Sequence, residues 1–105
     1  YRDAITLAES CREQLGAVWK DYDVLIGASS DGEAPVGLNA TGDASFCVIW
    51  TTMHVPAMTL PMFTGRNNLP LGLQVIGRAF DEETVFSVGA ALERASGLSL
   101  KPEGY

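Results

Sequence analysis

The stretch Gly72 to Ala79, GLQVIGRA, stands two substitutions away from a phosphate-cradling loop. In that pattern, G-x-x-x-x-G-K-[ST], a lysine reaches the terminal phosphates and a hydroxyl holds the metal, while a small, flexible interior lets backbone N–H groups converge. Here Arg78 and Ala79 replace both functional groups, and the interior is Leu73, Gln74, Val75 and Ile76. That interior is strand material, and RAFD intervenes before a helix can begin. The stretch therefore reads as a structural strand bounded by glycines.

A second candidate is GASSDG, Gly27 to Gly32, which is close to the G-x-S-x-G elbow of serine hydrolases. Its second glycine comes one residue late, and turn formers follow it where a helix should. A serine nucleophile also needs a base, and His54 is the single histidine. A histidine just before Val-Pro reads more readily as a surface or capping residue, but a Ser29/His54/Asp31 arrangement stays open at this level. Asp81, Glu82 and Glu83 form an acidic run placed where a helix start favours negative charge, so capping is the better reading. One histidine and two widely separated cysteines make no metal set, and no cofactor is expected.

These groups must be positioned by a small scaffold. The chain has 105 residues, 47% of them hydrophobic and 19% charged, which is the composition of a globular core. A chain of this size buries roughly 65% of its extended surface, enough for one modest core, so residues 1–105 form a single domain or a fragment of one. The formal net charge is -6, and the basic residues Arg2, Arg12, Lys20, Arg66, Arg78, Arg94 and Lys101 are scattered. Nucleic acid and anionic membrane surfaces are thus poor partners, since both need clustered cations. Cys11 and Cys47 read as reduced thiols in helices, which points to the cytoplasm. No apolar run approaches the roughly 20 residues of a membrane span, and the first residues lack the pattern of a signal peptide. The opening residue is Tyr1 and not methionine, which points to processing or to a piece of something longer.

Along the chain, Ala4, Leu7, Ala8, Cys11, Leu15, Val18 and Trp19 recur at three- and four-residue steps and predict an amphipathic helix over 3–20. DVLIGA, 23–28, is a short apolar strand, and the loop after it is rich in turn formers. Asp43 is placed to cap a helix running to Met53, with Phe46, Ile49, Trp50 and Met53 on one stripe and Pro56 closing it. AMTLPMF and LGLQVIG read as two strands that can pair antiparallel, joined by TGRNNLP; Pro61 marks a strand end or irregularity. Asp81 heads a last helix that turns Val85, Val88, Leu92 and Ala95 inward and stops at Gly97. The class is α/β or α+β, with helices packed on a small sheet.

The order of these pieces resembles the C-terminal part of the amidase signature family. The matching features are a D-x-L-hydrophobic strand at Asp23 to Ile26, Ala34-Pro35 in the loop, Thr41 to Asp43, and Trp50 in an aromatic-rich helix. Pro56 to Pro61 and Leu69 to Gly77, before an Asp-led helix, complete the series. Val55 departs from it, standing where glycine commonly precedes the proline, as do Met62 and Phe63, where glycine commonly follows the second proline. The resemblance implies part of an α/β/α sandwich with helices on a mixed sheet, in an enzyme hydrolysing carbon–nitrogen bonds of a small amide. It also implies a serine-serine-lysine core in an upstream Gly/Ser-rich segment, which this chain does not contain. The chain alone is then expected to be inactive, its partner being that upstream catalytic part. Trp50 and His54 are the expected substrate-mouth residues, beside the loop from Ser29 to Asp43. A fragment of a larger sheet exposes an unpaired edge, so homo-oligomerisation, or a non-catalytic interaction module using that edge, is the alternative.

Overall fold

The computed structural model describes residues 1–98; residues 99–105, Lys101 among them, lie outside the described residues. The elements follow the expected order: α1 (Arg2–Val18), β1 (Leu25–Ala28), α2 (Ser45–Met53), β2 (Ala57–Thr64), β3 (Pro70–Ile76) and α3 (Glu82–Ser96). GLQVIG belongs to β3, the middle strand of a three-stranded sheet ordered β1-β3-β2. Both pairings are antiparallel. The sheet expected to be mixed thus contains antiparallel pairs only among the described residues: the tight 65–69 turn reverses the chain between β2 and β3, while the 29–56 segment carries it across so that β1 and β2 run the same way on opposite sides of β3.

The β2–β3 hairpin turns through Gly65–Leu69, where the Gly65 N–H donates to Leu69 O at 2.9 Å and Asn68 adopts a left-handed φ of 62°. A bulge between Pro61 and Phe63 shifts the register of β2. Proline has no N–H for a ladder, so an irregular edge strand is where it is tolerated, and β2 is an edge.

Strand pairing decides which side chains share a face, because side chains alternate along a strand. Met58 and Ile26 flank Val75 on one face, and Leu60 and Ala28 flank Leu73. On this face α3 packs close: a side chain at Gly89 would meet Met58 Cε and then Leu60 Cδ1, and one at Gly77 would run into Val85 Cγ2. The opposite face carries Gln74, flanked by Gly27 and Thr59, and α2 reaches it through Trp50.

Each cover is partial. Among the described residues only Val75, Ile76 and Val85 are buried apolar side chains, while Ile26 stays 61% exposed beyond the reach of α3. The α2 stripe exists as expected, but Phe46 and Ile49 on it face solvent; α1 buries no residue fully. The chain exposes 8004 Å2, against about 5700 Å2 for a compact monomer of its mass. Its radius of gyration is 15.8 Å, where a compact chain of this length reaches about 13 Å.

Helix termini follow local chemistry. Asp81 Oδ1 accepts from the Thr84 N–H at 3.3 Å, and Gly97, at φ 63°, closes α3. Val85 is buried and Val88 and Leu92 are half-buried, but Ala95 is exposed; α3 outruns the sheet before reaching it. The second helix begins at Ser45 with Ala44 in the cap position, one residue after the expected cap Asp43, whose Oδ1 accepts from the Ser45 N–H at 2.9 Å.

Candidate functional site

The loop between β1 and α2 runs over residues 29–44 without regular structure and is pinned at both ends. Near its start, the Glu33 carboxylate accepts from the Asn67 N–H at 2.8 Å, from Asn67 Nδ2 at 2.7 Å and from the Leu69 N–H at 3.4 Å, clasping the hairpin turn. Desolvation raises the Glu33 pKa, but the donors of Asn67 and Leu69 outweigh it and hold the carboxyl below its ordinary range. At the far end the donors of Ser45 lower the Asp43 pKa in the same way. Between the pins, Val36 and Leu38 are fully exposed.

The serine arrangement does not assemble. Ser29 sits at the end of β1, where its N–H donates to Gly72 O and its carbonyl accepts from Cys47 Sγ at 3.3 Å; its Oγ is buried without a hydrogen-bond partner. Ser30 Oγ donates to Gly32 O, and Ser30 and Asp31 line a cleft of about 270 Å3 with Phe63 and Leu71. His54 lines a different cleft, with Arg12.

Trp50 and His54, one helical turn apart, also part company. The Trp50 indole N–H donates to Oε1 of Gln74, a side chain only 4% exposed, at 3.2 Å. That bond satisfies the one buried polar side chain of the sheet and fixes α2 upon it. His54 is the C-terminal cap of α2 in a left-handed conformation, φ 57°, so the backbone position that favours glycine here is His54 and not Val55. Its Nε2 lies 3.3 Å from Arg12 Nη2, while Arg12 Nε donates to Thr52 O at 3.0 Å. Arginine can only donate, so in this contact the imidazole accepts at Nε2.

Arg12 thereby joins α1 to the last turn of α2, taking up a carbonyl with no partner inside its helix. Sequence reading passed over Arg12, since its role depends on a contact 40 residues away. Both cysteines are free, Cys11 half-buried and Cys47 exposed. No helix among the described residues is long and apolar enough to cross a membrane, and no group of three or more His, Cys, Asp or Glu gathers among them.

Comparison with known proteins meets this geometry. The A subunit of glutamyl-tRNA(Gln) amidotransferase from Brevibacillus brevis is 32% identical over 111 aligned positions, covering 98% of this chain and 23% of that protein. The protein of the same name from Maricaulis maris is 41% identical over 80 residues, 76% of this chain and 16% of the relative. The one from Granulibacter bethesdensis is 58% identical over 48 residues, 46% and 10% respectively. The chain therefore spans less than a quarter of the length of these curated relatives. The sequence profile of the Amidase family matches residues 1–86, from α1 into the second turn of α3 and across the whole sheet, and on that match the chain belongs to the Amidase family.

Proposed function

We propose that this chain is the C-terminal structural and substrate-mouth part of an enzyme that hydrolyses amide carbon–nitrogen bonds, acting in the cytoplasm with a serine-serine-lysine core supplied by upstream polypeptide. The observation that carries this reading is the sheet, whose two faces are each only partly covered in a chain that belongs to an amide-cleaving family. Ser29, the best-placed serine, lacks a base, which supports a nucleophile from elsewhere. The loop from Ser29 to Asp43 would border the substrate mouth, with Trp50 fixing the helix behind it and His54 at that helix's end.

The test compares the purified 105-residue chain with a longer natural polypeptide that carries it, on simple amides. Glutamine belongs among them because the relatives are named amidotransferase subunits. Turnover is expected from the longer polypeptide alone; turnover by the short chain would overturn the reading.

A second reading, a non-catalytic interaction module, is favoured by one observation: β1 is a sheet edge carrying the exposed Ile26. It separates from the first at the gene. An upstream reading frame without a Gly/Ser-rich serine-lysine segment, together with concentration-dependent self-association, would select the module.

A further inference from the structure

A cleft of about 370 Å3 lies where the end of α1, the end of α2 and the β3–α3 connection meet. Its lining includes Arg12, Trp19, Met53, His54, Arg78 and Phe80. Among the described residues no aspartate or glutamate lines it, although the chain has 13 acidic against 7 basic residues. Of the five N–H donors of Arg12, one is spent on Thr52 O and one on His54, which fixes the guanidinium plane; its other donors have no partner among the described residues. Arg78 borders this cleft and an adjoining one lined by Asp23 and Asp81, yet its guanidinium makes no hydrogen bond or ion pair among the described residues.

Phe80 adds an independent observation. It is 95% exposed and holds a left-handed φ of 65°, which glycine or asparagine adopts readily and a bulky aromatic residue does not. Nothing in the sheet or α3 uses this ring, which stands at the cleft with Trp19. An exposed aromatic side chain in costly backbone geometry is a feature that clusters at binding sites.

We propose that this cleft binds a small organic carboxylate with an aromatic or other apolar body. Arg12 and Arg78 take the carboxylate, and Trp19, Phe80 and Met53 take the body. Planar guanidinium groups match a carboxylate with paired N–H donors, and the apolar walls favour an organic anion over a bare inorganic one. The proposal rests on these side chains and not on the amide reading.

The test is calorimetric titration of the longer polypeptide carrying this chain with phenylacetate, its neutral analogue 2-phenylethanol, and inorganic phosphate. Phenylacetate is expected to bind saturably, and both controls at least roughly tenfold more weakly. Arg78→Gln should weaken phenylacetate roughly tenfold while leaving the melting temperature unchanged, since Arg78 is exposed. Emission from Trp19 should follow the titration, and Trp19→Phe should remove that signal. Absence of saturable binding, equal binding of phosphate, or unchanged phenylacetate affinity in Arg78→Gln would each overturn the proposal; the last would place any bound phenylacetate elsewhere on the polypeptide.

Discussion

Gly77, just after β3, and Gly89, within α3, both lie where α3 meets the sheet, and replacing each by alanine should have opposite consequences. A Cβ at Gly77 would run into Val85 Cγ2, with Asp81 O and Pro56 also near. Val85 is 3% exposed, and its β-branched side chain has one preferred rotamer in a helix, so it has nowhere to turn. Overpacking of this kind costs about 1–3 kcal/mol. A Cβ at Gly89 instead meets the terminal methyl of Met58, the movable end of a flexible side chain. There the helix gains the roughly 0.8–1 kcal/mol by which alanine exceeds glycine, offset by moving that methyl.

Thermal denaturation followed by circular dichroism on the longer polypeptide reads both variants. Gly77→Ala is expected to lower Tm, by about 4–8 °C per kcal/mol in a domain of this size and less in a larger one. Gly89→Ala should leave Tm unchanged or slightly raised. The clash should also be removable: in a double-mutant cycle Val85→Ala should rescue part of the Gly77→Ala loss, with a coupling of about 1 kcal/mol. Equal losses in the two glycine variants, or strict additivity of Gly77→Ala with Val85→Ala, would refute the packing of α3 on this face.

Other perturbations address the loop and the opposite face. Ser29→Ala removes a buried, unpartnered hydroxyl and should be neutral or stabilising by up to about 1 kcal/mol in urea denaturation, whereas a catalytic Ser29 would show itself as lost amide turnover. Trp50→Phe keeps an aromatic ring but leaves Gln74 Oε1 without its donor, at a cost of about 1–3 kcal/mol by the same measurement. The folded-state pKa values of Glu33 and Asp43 are lowered, so their stabilisation is present above the ordinary carboxylate range and is lost as pH falls through the folded values. Protection of the Asn67 and Leu69 amides, measured against their intrinsic exchange rates at each pH, should fall in acid, and Glu33→Gln should remove most of that pH dependence.

Much of this fold was legible because its signals are local. Spacing of apolar residues, Asp81 before Thr84, and Gly97 after the last turn placed α3 almost to the residue. Pro61 announced an irregular edge, and LGLQVIG could be read as a strand because Leu, Val and Ile dominate its interior. What stayed hidden depends on contacts far apart in the chain. Periodicity gave α2 an apolar stripe but could not say that only Trp50 and Met53 would find partial cover. Ala95 fits the helical period of α3, but the sheet ends before it. Val55 looked like the position wanting glycine, while the backbone turns left-handed at His54. Arg12, on the polar side of an amphipathic helix, gave no signal of its own, because its meaning comes from Thr52 and His54. Glu33 was likewise one acid in a loop until the hairpin turn supplied its donors.

The central claim is that this sheet is one part of a larger one, its uncovered areas meant for the polypeptide that completes the amidase domain. Hydrogen exchange of the 105-residue chain, alone and within the longer polypeptide, tests it most directly. Within the longer polypeptide, amides of β1, from Leu25 to Ala28, and of α2 should gain protection by orders of magnitude, because Ile26, Phe46 and Ile49 are then covered. Equal protection in both settings would mean that the sheet is complete as it stands, and would contradict the account.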